Sequence, residues 1–509
     1  MIERLQRQPA LVALAAVLLG AVALAASVLF AGERQIERRS SDVPVNAGAR
    51  EPGDISANNS PSMAQNPKNA DELAVSNRVD SPDYTCVLNV SRNHGASWSP
   101  VRVPIPPGEG RKCFAPDVAY AADGTLYMSY VTLRGNGNVP ARAWVARSPD
   151  GGRTLSIPVR VSGPLAFQVR LVADPERSRR LYLTWLQTDE VGLLRFAGSD
   201  QRVQVSRSDD GGRTWGAPVR VSAPKRERPL APSAAIGPDG ELYVLYLDVG
   251  GDRLDYEAGH EGFGGEPYDG RFQLVLGRSD DAGMTWQESV VDDDVVPTRR
   301  FIAFLPPTPS LAVDRSNGTV YAAFEDGAGG FSDVHVWSLT KDASAWEGPV
   351  RVNDTPQGDR TWQYLPRIAV APDGRLDVVY YDRRFDPRKN VLTDVTAQSS
   401  VDGGKSFAQR VTLSTRSFDS RIGSGTERDM PDLGNRLGLV SEDDVAMAAW
   451  TDTRAGSVAS LKQDIAFTRA AVGRSGGLPD GVRTALIVGG VILVVGGIAL
   501  LVAPRLRRP

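Results

Sequence analysis

The chain has 509 residues, a formal net charge of −3 and a charged fraction of 23%. This near-neutral balance leaves no bulk electrostatic case for nucleic acid as a partner. Three histidines and two cysteines, with no CxxC and no Cys/His cluster, argue against a zinc site.

Arg4 and Arg7, in an expected cytoplasmic N-terminus (residues 1–9), precede an almost wholly apolar run, and residues 10–31 are expected to form a transmembrane signal anchor. A cleaved signal peptide is the rival, because Ala23, Ala25 and Ala26 offer a cleavage site. The run exceeds the usual apolar core of about 7–15 residues, which favours an uncleaved anchor. Residues 485–503 form a second apolar run, followed by a basic tail (504–509) with Arg505, Arg507 and Arg508. The positive-inside rule places that tail in the cytoplasm, and two spans place the N-terminus there too. Arg34, Arg38 and Arg39 argue the other way, with less weight. The expectation is a two-pass cell-membrane protein whose middle region is extracytoplasmic. In such an oxidising compartment Cys86 and Cys113 are expected to form a disulfide.

Residues 32–59 are polar and poor in aromatics, and are expected to be a flexible linker; residues 475–484 are a second linker. Between them, residues 60–474 repeat one pattern: a short apolar strand, a turn with Asp, Asn or Gly, then an alternating strand. First strands begin near Ser62, Asp117, Arg170, Ser233, Ser310, Arg367 and Arg436. Turns such as Asp123-Gly124, Asp239-Gly240, Asn317-Gly318 and Asp373-Gly374 are strong hairpin punctuation.

A second repeat accompanies the first. The octapeptide Ser208-Asp209-Asp210-Gly211-Gly212-Arg213-Thr214-Trp215 recurs as variants at 91–98, 148–155, 279–286 and 400–407, and in stretched form at 338–346. Successive copies stand 57, 60, 71, 59 and 62 residues apart, a repeat architecture. Ser and Asp two apart turn side-chain oxygens onto nearby N–H groups, Gly supplies the turn, and Trp begins the next strand ready to pack on a neighbouring unit.

The octapeptide resembles the Asp box, or BNR repeat, of sialidase-like β-propellers. Tyr380-Tyr381-Asp382-Arg383-Arg384, Trp450-Thr451-Asp452-Thr453-Arg454 and Gln463-Asp464-Ile465-Ala466-Phe467 are similar to stretches of membrane-anchored bacterial members. The expected fold is all-β: a seven-bladed propeller of four-stranded antiparallel blades, alternatively six-bladed if Asp boxes are counted, flanked by two transmembrane helices. The resemblance also implies that Asp boxes lie on the face opposite the ligand and serve folding rather than chemistry.

Three first strands carry Arg at one equivalent position, Arg170, Arg367 and Arg436, where the others carry Ser62, Asp117, Ser233 and Ser310. Arg is suited to bidentate carboxylate recognition, and sialidases hold a sugar carboxylate with three arginines. Arg pairing with neighbouring Asp is the blander alternative. Asp382 with Arg384 and Asp452 with Arg454, each beside an aromatic, are candidate sugar contacts or loop-closing pairs. If the protein is an enzyme, the resemblance implies a Tyr nucleophile with a carboxylate partner, and an Asp as acid/base. Tyr380, Tyr381 or Tyr364 with Glu325 or Glu427, and Asp117, are the candidates. The F/Y-R-I-P signature is missing, its nearest imitation being Arg102-Val103-Pro104. No cofactor is expected; the acidic stretch 248–269 and Asp292-Asp293-Asp294 lack calcium-ligand spacing. The expectation is a binding module for a glycan or cell-envelope protein, with sialidase-type exo-glycosidase activity on terminal acidic sugars as the alternative.

Overall fold

A computed structural model describes residues 2–29, 33–36, 40–49, 51, 53–136, 138–189, 201–226, 228–252, 268–298, 308–423, 433–475 and 480–502. Glu427, most of the acidic stretch (253–267) and the basic tail from residue 503 lie outside the described residues. Two units are distinguished, residues 36–471 and the two chain ends.

In the larger unit, seven antiparallel sheets follow one another along the chain, six of them with their first to fourth strands in chain order. Blade 1 comprises Asn58–Asn66, Asn69–Val79, Thr85–Ser91 and Ser99–Val101. Blades 2, 3 and 4 open with Cys113–Tyr120, Ala166–Ala173 and Pro229–Ile236. Blades 5, 6 and 7 open with Ser310–Val313, Gln363–Val370 and Gly438–Ser441. This is a seven-bladed β-propeller of four-stranded blades.

Apolar residues on both faces of the inner strands form the cores between blades. Leu88, Val90, Val118 and Met128 join blades 1 and 2, and Ala323, Val336, Ile368 and Val378 join blades 5 and 6. Trp185, Trp337 and Trp450 are wholly buried. Strands buried on both faces read as continuous apolar runs, such as Leu242–Asp248.

Ring closure departs from expectation. The last blade takes an outer strand from the other end of the chain: Val43–Pro44 pairs antiparallel with Asp464–Ser475, Val43 opposite Phe467. Asn46 donates to Asp464 Oδ1 at 3.0 Å and accepts from Ile465 N–H at 2.7 Å. The buried Lys462 ammonium donates to the carbonyls of Gly48 and Glu51 at 3.0 and 3.2 Å. From Val43 onward the expected flexible linker is therefore part of the ring, because an open blade edge would leave unpaired backbone groups.

The octapeptide turns have one shared geometry. In blade 3, Gly212 N–H donates to Ser208 Oγ at 2.9 Å, and Arg213 and Thr214 N–H both donate to Asp210 Oδ1 at 2.9 Å. Thr214 Oγ1 donates to Asp210 Oδ2 at 2.6 Å. The same bonds recur around Asp150, Asp281 and Asp402. Gly152 must be glycine: its φ is +79°, and a Cβ would stand 2.6 Å from Val90 of the preceding blade. Trp98 meets Phe467 of blade 7 edge-on at 5.2 Å.

The chain ends form the helices Ile2–Leu29 and Asp480–Val502, which pack on one another at Gly20 and Gly490. Among the described residues, one stretch is long and apolar enough to cross a membrane, Thr484–Leu501 of the second helix, with mean hydropathy 2.6. In the first, the described side chains cover the shorter apolar stretch Val12–Ala26. Of the expected pair of transmembrane helices, the described residues support one candidate span.

Candidate functional site

In each blade the hairpin between strands 1 and 2 and the turn between strands 3 and 4 fall at one end of the axis. First strands therefore start at the other end, away from the octapeptide turns. There a β-bulge recurs. Pairing between strands 1 and 2 slips between Asn59 and Ser62, Phe114 and Asp117, Phe167 and Arg170, Leu230 and Ser233, and Tyr364 and Arg367. Each slip coincides with a left-handed residue two positions before the axial one: Ser60, Ala115, Gln168, Ala231 and Leu365, with φ of 55, 50, 49, 56 and 56°. Gly434, at φ 88°, stands at the same offset before Arg436. Bulges bend a strand and re-aim a side chain, and non-glycine residues hold this conformation only where their surroundings impose it.

The result is one axial cavity lined by Ser62, Asp117, Arg170, Ser233, Ser310, Arg367 and Arg436, one residue per blade, with Thr308 beside them. Three guanidinium groups and one carboxylate thus share a small space.

The three arginines are held differently. Arg436 donates from Nε to Ser60 O at 3.1 Å and from Nη2 to Pro116 O, and its Nη1 stands 3.8 Å from Asp117 Oδ1 without a hydrogen-bond partner. Arg170 donates to Thr308 Oγ1 at 2.8 Å and to Val169 O at 3.2 Å. Arg367 makes no hydrogen bond among the described residues, and its Nε is buried without a partner. Burial lowers the affinity of all three for their protons, Arg170 to about 10, although Asp117 opposes this. The neighbouring guanidiniums add to the lowering at Arg170 and Arg436.

Asp117 is occupied as an acceptor. Ser62 Oγ donates to its Oδ1, as does Val118 N–H at 3.1 Å, while Leu171 N–H donates to Oδ2 at 2.9 Å. It stands here as a counter-charge and a brace between blades 1, 2 and 3.

The remaining candidates lie elsewhere. Tyr380 and Tyr381 are wholly buried in blade 6, Tyr380 Oη donating to Gln398 Oε1 at 2.6 Å and Tyr381 Oη accepting from Thr451 N–H at 3.1 Å. Burial raises both phenols well above their ordinary value, which disfavours either as a nucleophile. Tyr364 is buried against the Tyr381 ring at 5.3 Å. Glu325 is buried, accepting from Leu365 N–H at 2.6 Å and Thr298 Oγ1 at 3.1 Å; burial raises its carboxyl to about 7, against the lowering by those bonds. None of these residues lines the cavity.

Asp382 is also spoken for, accepting from Gln363 Nε2 and Thr396 Oγ1 at 3.1 Å each, and from Arg384. Arg384 continues to Asp354 of the preceding blade. Asp452 accepts from Arg454 Nε at 2.9 and 2.7 Å, and Arg454 reaches Asp42 at 2.7 Å. The aromatic–Asp ladder closes loops and joins blades. Cys86 and Cys113 are disulfide-bonded, joining the third strand of blade 1 to the first of blade 2.

No family profile matches the chain, and no curated protein matches it. Solved structures similar to it include a protein of unknown function from Dyadobacter fermentans, at 16% identity over 86% of this chain and 99% of that one, TM-score 0.48. A polysaccharide lyase of the ulvan lyase type is similar at 14% identity over 89% and 99%, TM-score 0.48. A Hadza microbial sialidase is similar at 15% identity over 79% and 73%, TM-score 0.43. At these values the likenesses assign no chemistry, which has to come from the channel's own residues.

Proposed function

We propose that the propeller is a recognition module that captures a carboxylate-bearing ligand, such as a terminal acidic sugar of a glycan, at the mouth of its axial channel. The convergence of Arg170, Arg367 and Arg436 on one cavity carries this proposal. Three cations, Arg170 and Arg436 buried and Arg367 partly so, facing a single carboxylate are costly unless an anion completes the set, and unpartnered N–H groups on Arg367 and Arg436 provide the missing bonds. Sialidase-type hydrolysis would need a nucleophile–base pair at the same mouth. Of the candidates for it, Tyr380, Tyr381 and Glu325 are buried and do not line the cavity, which favours recognition.

The disulfide suits an oxidising, extracytoplasmic compartment, and the apolar stretch Thr484–Leu501 suits a membrane anchor. The proposed protein therefore displays its anion-binding face outside the membrane to glycans or envelope proteins.

The test is calorimetric titration of the full chain in detergent with glucuronate, N-acetylneuraminate and glucose. Saturable binding of an acidic sugar but not glucose is expected. Equal binding of all three, or of none, contradicts the proposal. Turnover of a fluorogenic sialoside under the same conditions would replace recognition by hydrolysis.

A further inference from the structure

Among the described residues, Arg367 differs from its two partners in that no hydrogen bond holds its side chain. Carbonyl oxygens anchor Arg436, and Thr308 and Val169 anchor Arg170. The direction of Arg367 therefore depends on the backbone that presents it, namely the bulge at Leu365.

That bulge is held from the neighbouring blade. Glu325 closes the second strand of blade 5, and its Oε2 accepts from Leu365 N–H at 2.6 Å. Its other oxygen accepts from Thr298 Oγ1 at 3.1 Å, so both oxygens are engaged and the carboxyl has one orientation. Leu365 is buried, and its left-handed φ is unfavourable for a branched aliphatic residue without such a restraint. Gln168 of blade 3 bonds the equivalent N–H of Ala231 in blade 4, at 2.7 Å, with a neutral amide.

We propose that Glu325 is a positioning residue for the anion site: its carboxyl fixes the Leu365 bulge and thereby aims Arg367 into the channel. This rests on the channel being an anion site. The role is distinct from a catalytic one, because Glu325 touches neither the cavity nor another ionisable group there. Restraint of the backbone transmits the effect, and a misplacement of about 1 Å in a positioned group is enough to lose most of its contribution.

The experiment combines binding with structure. In the full chain, glucuronate affinity is expected to fall about tenfold in Glu325→Ala, as for loss of one charge-assisted contact. It should stay within about twofold in Glu325→Gln, which keeps an acceptor as Gln168 does. In an Arg367→Met background Glu325→Ala should weaken binding no further. Should Glu325→Ala not fold, Glu325→Asp, which withdraws the acceptor by one methylene, takes its place. A crystal structure of the same variant supplies a readout independent of ligand: Leu365 leaves the left-handed region and the Arg367 guanidinium moves, while Arg170 and Arg436 stay. An unmoved Arg367 arm, or equal losses with and without Arg367, overturns the proposal. Absence of glucuronate binding in the parent chain, with the arm moved as expected, overturns the anion site and leaves the positioning role standing.

Discussion

The two ends of the propeller axis treat charge in opposite ways. At the octapeptide face each Asp is saturated by donors within four residues of it, as Asp210 is by Ser208, Arg213 and Thr214. At the channel mouth three guanidiniums from blades 3, 6 and 7 face one carboxylate, and two of them keep unpartnered N–H groups. The first arrangement is local and self-sufficient. The second is assembled over more than two hundred residues and is left short of negative charge. Carboxylates saturated by local donors mark the folding device, and an excess of guanidinium over carboxylate marks the place for a ligand.

Removing the one counter-charge should disturb this contrast most. Asp117→Ala leaves Ser62 and Leu171 N–H without their acceptor and the three channel cations unopposed, so a loss of about 3–5 kcal/mol is expected, read by chemical denaturation. Replacing both Cys86 and Cys113 by Ser frees the tie between blades 1 and 2, and should cost about 3 kcal/mol in the same assay.

The octapeptide face responds more gently. Asp210→Ala removes one of several equivalent turns and should cost about 1 kcal/mol, with sugar binding unchanged. Its pH dependence has a definite sign. Hydrogen bonding holds Asp150, Asp210 and Asp281 at about 2, against burial, which raises the first two most and Asp281 little. A depressed native pKa contributes stability that is complete above the unfolded value and lost as pH falls through the native one. Thermal midpoints should therefore drop between about pH 4 and pH 2, and Asp210→Asn should flatten part of that drop. An Arg367→Met chain should move the other way, becoming about 1 kcal/mol more stable as repulsion is relieved while binding is lost. Destabilisation by Arg367→Met would mean that the guanidinium serves the fold.

Legibility in the sequence followed the same division. The octapeptide fixes its own geometry through contacts four residues long, but its six copies fall one short of the seven blades, which the repeated two-strand starts count out. The equivalence of Ser62, Asp117, Arg170, Ser233, Ser310, Arg367 and Arg436 was readable from strand periodicity. Their aim was not: the left-handed residues Ser60, Ala115, Gln168, Ala231 and Leu365 include small, amide and branched side chains with no common signature, because neighbouring blades impose the conformation. The pairs Asp382/Arg384 and Asp452/Arg454 were open to two outcomes, since an Arg two residues from an Asp can fold back or reach outward. Only the surroundings, with Asp354 and Asp42 beyond them, select the closed form. Val43–Pro44 escaped notice because two residues carry no period.

The most direct test of the central contrast is glucuronate affinity in the full chain compared across Arg170→Met, Arg367→Met, Arg436→Met and Asp210→Ala. The predicted result is a loss of at least about tenfold for each arginine variant and none for Asp210→Ala. Equal affinity in all four would contradict an anion site at the channel mouth.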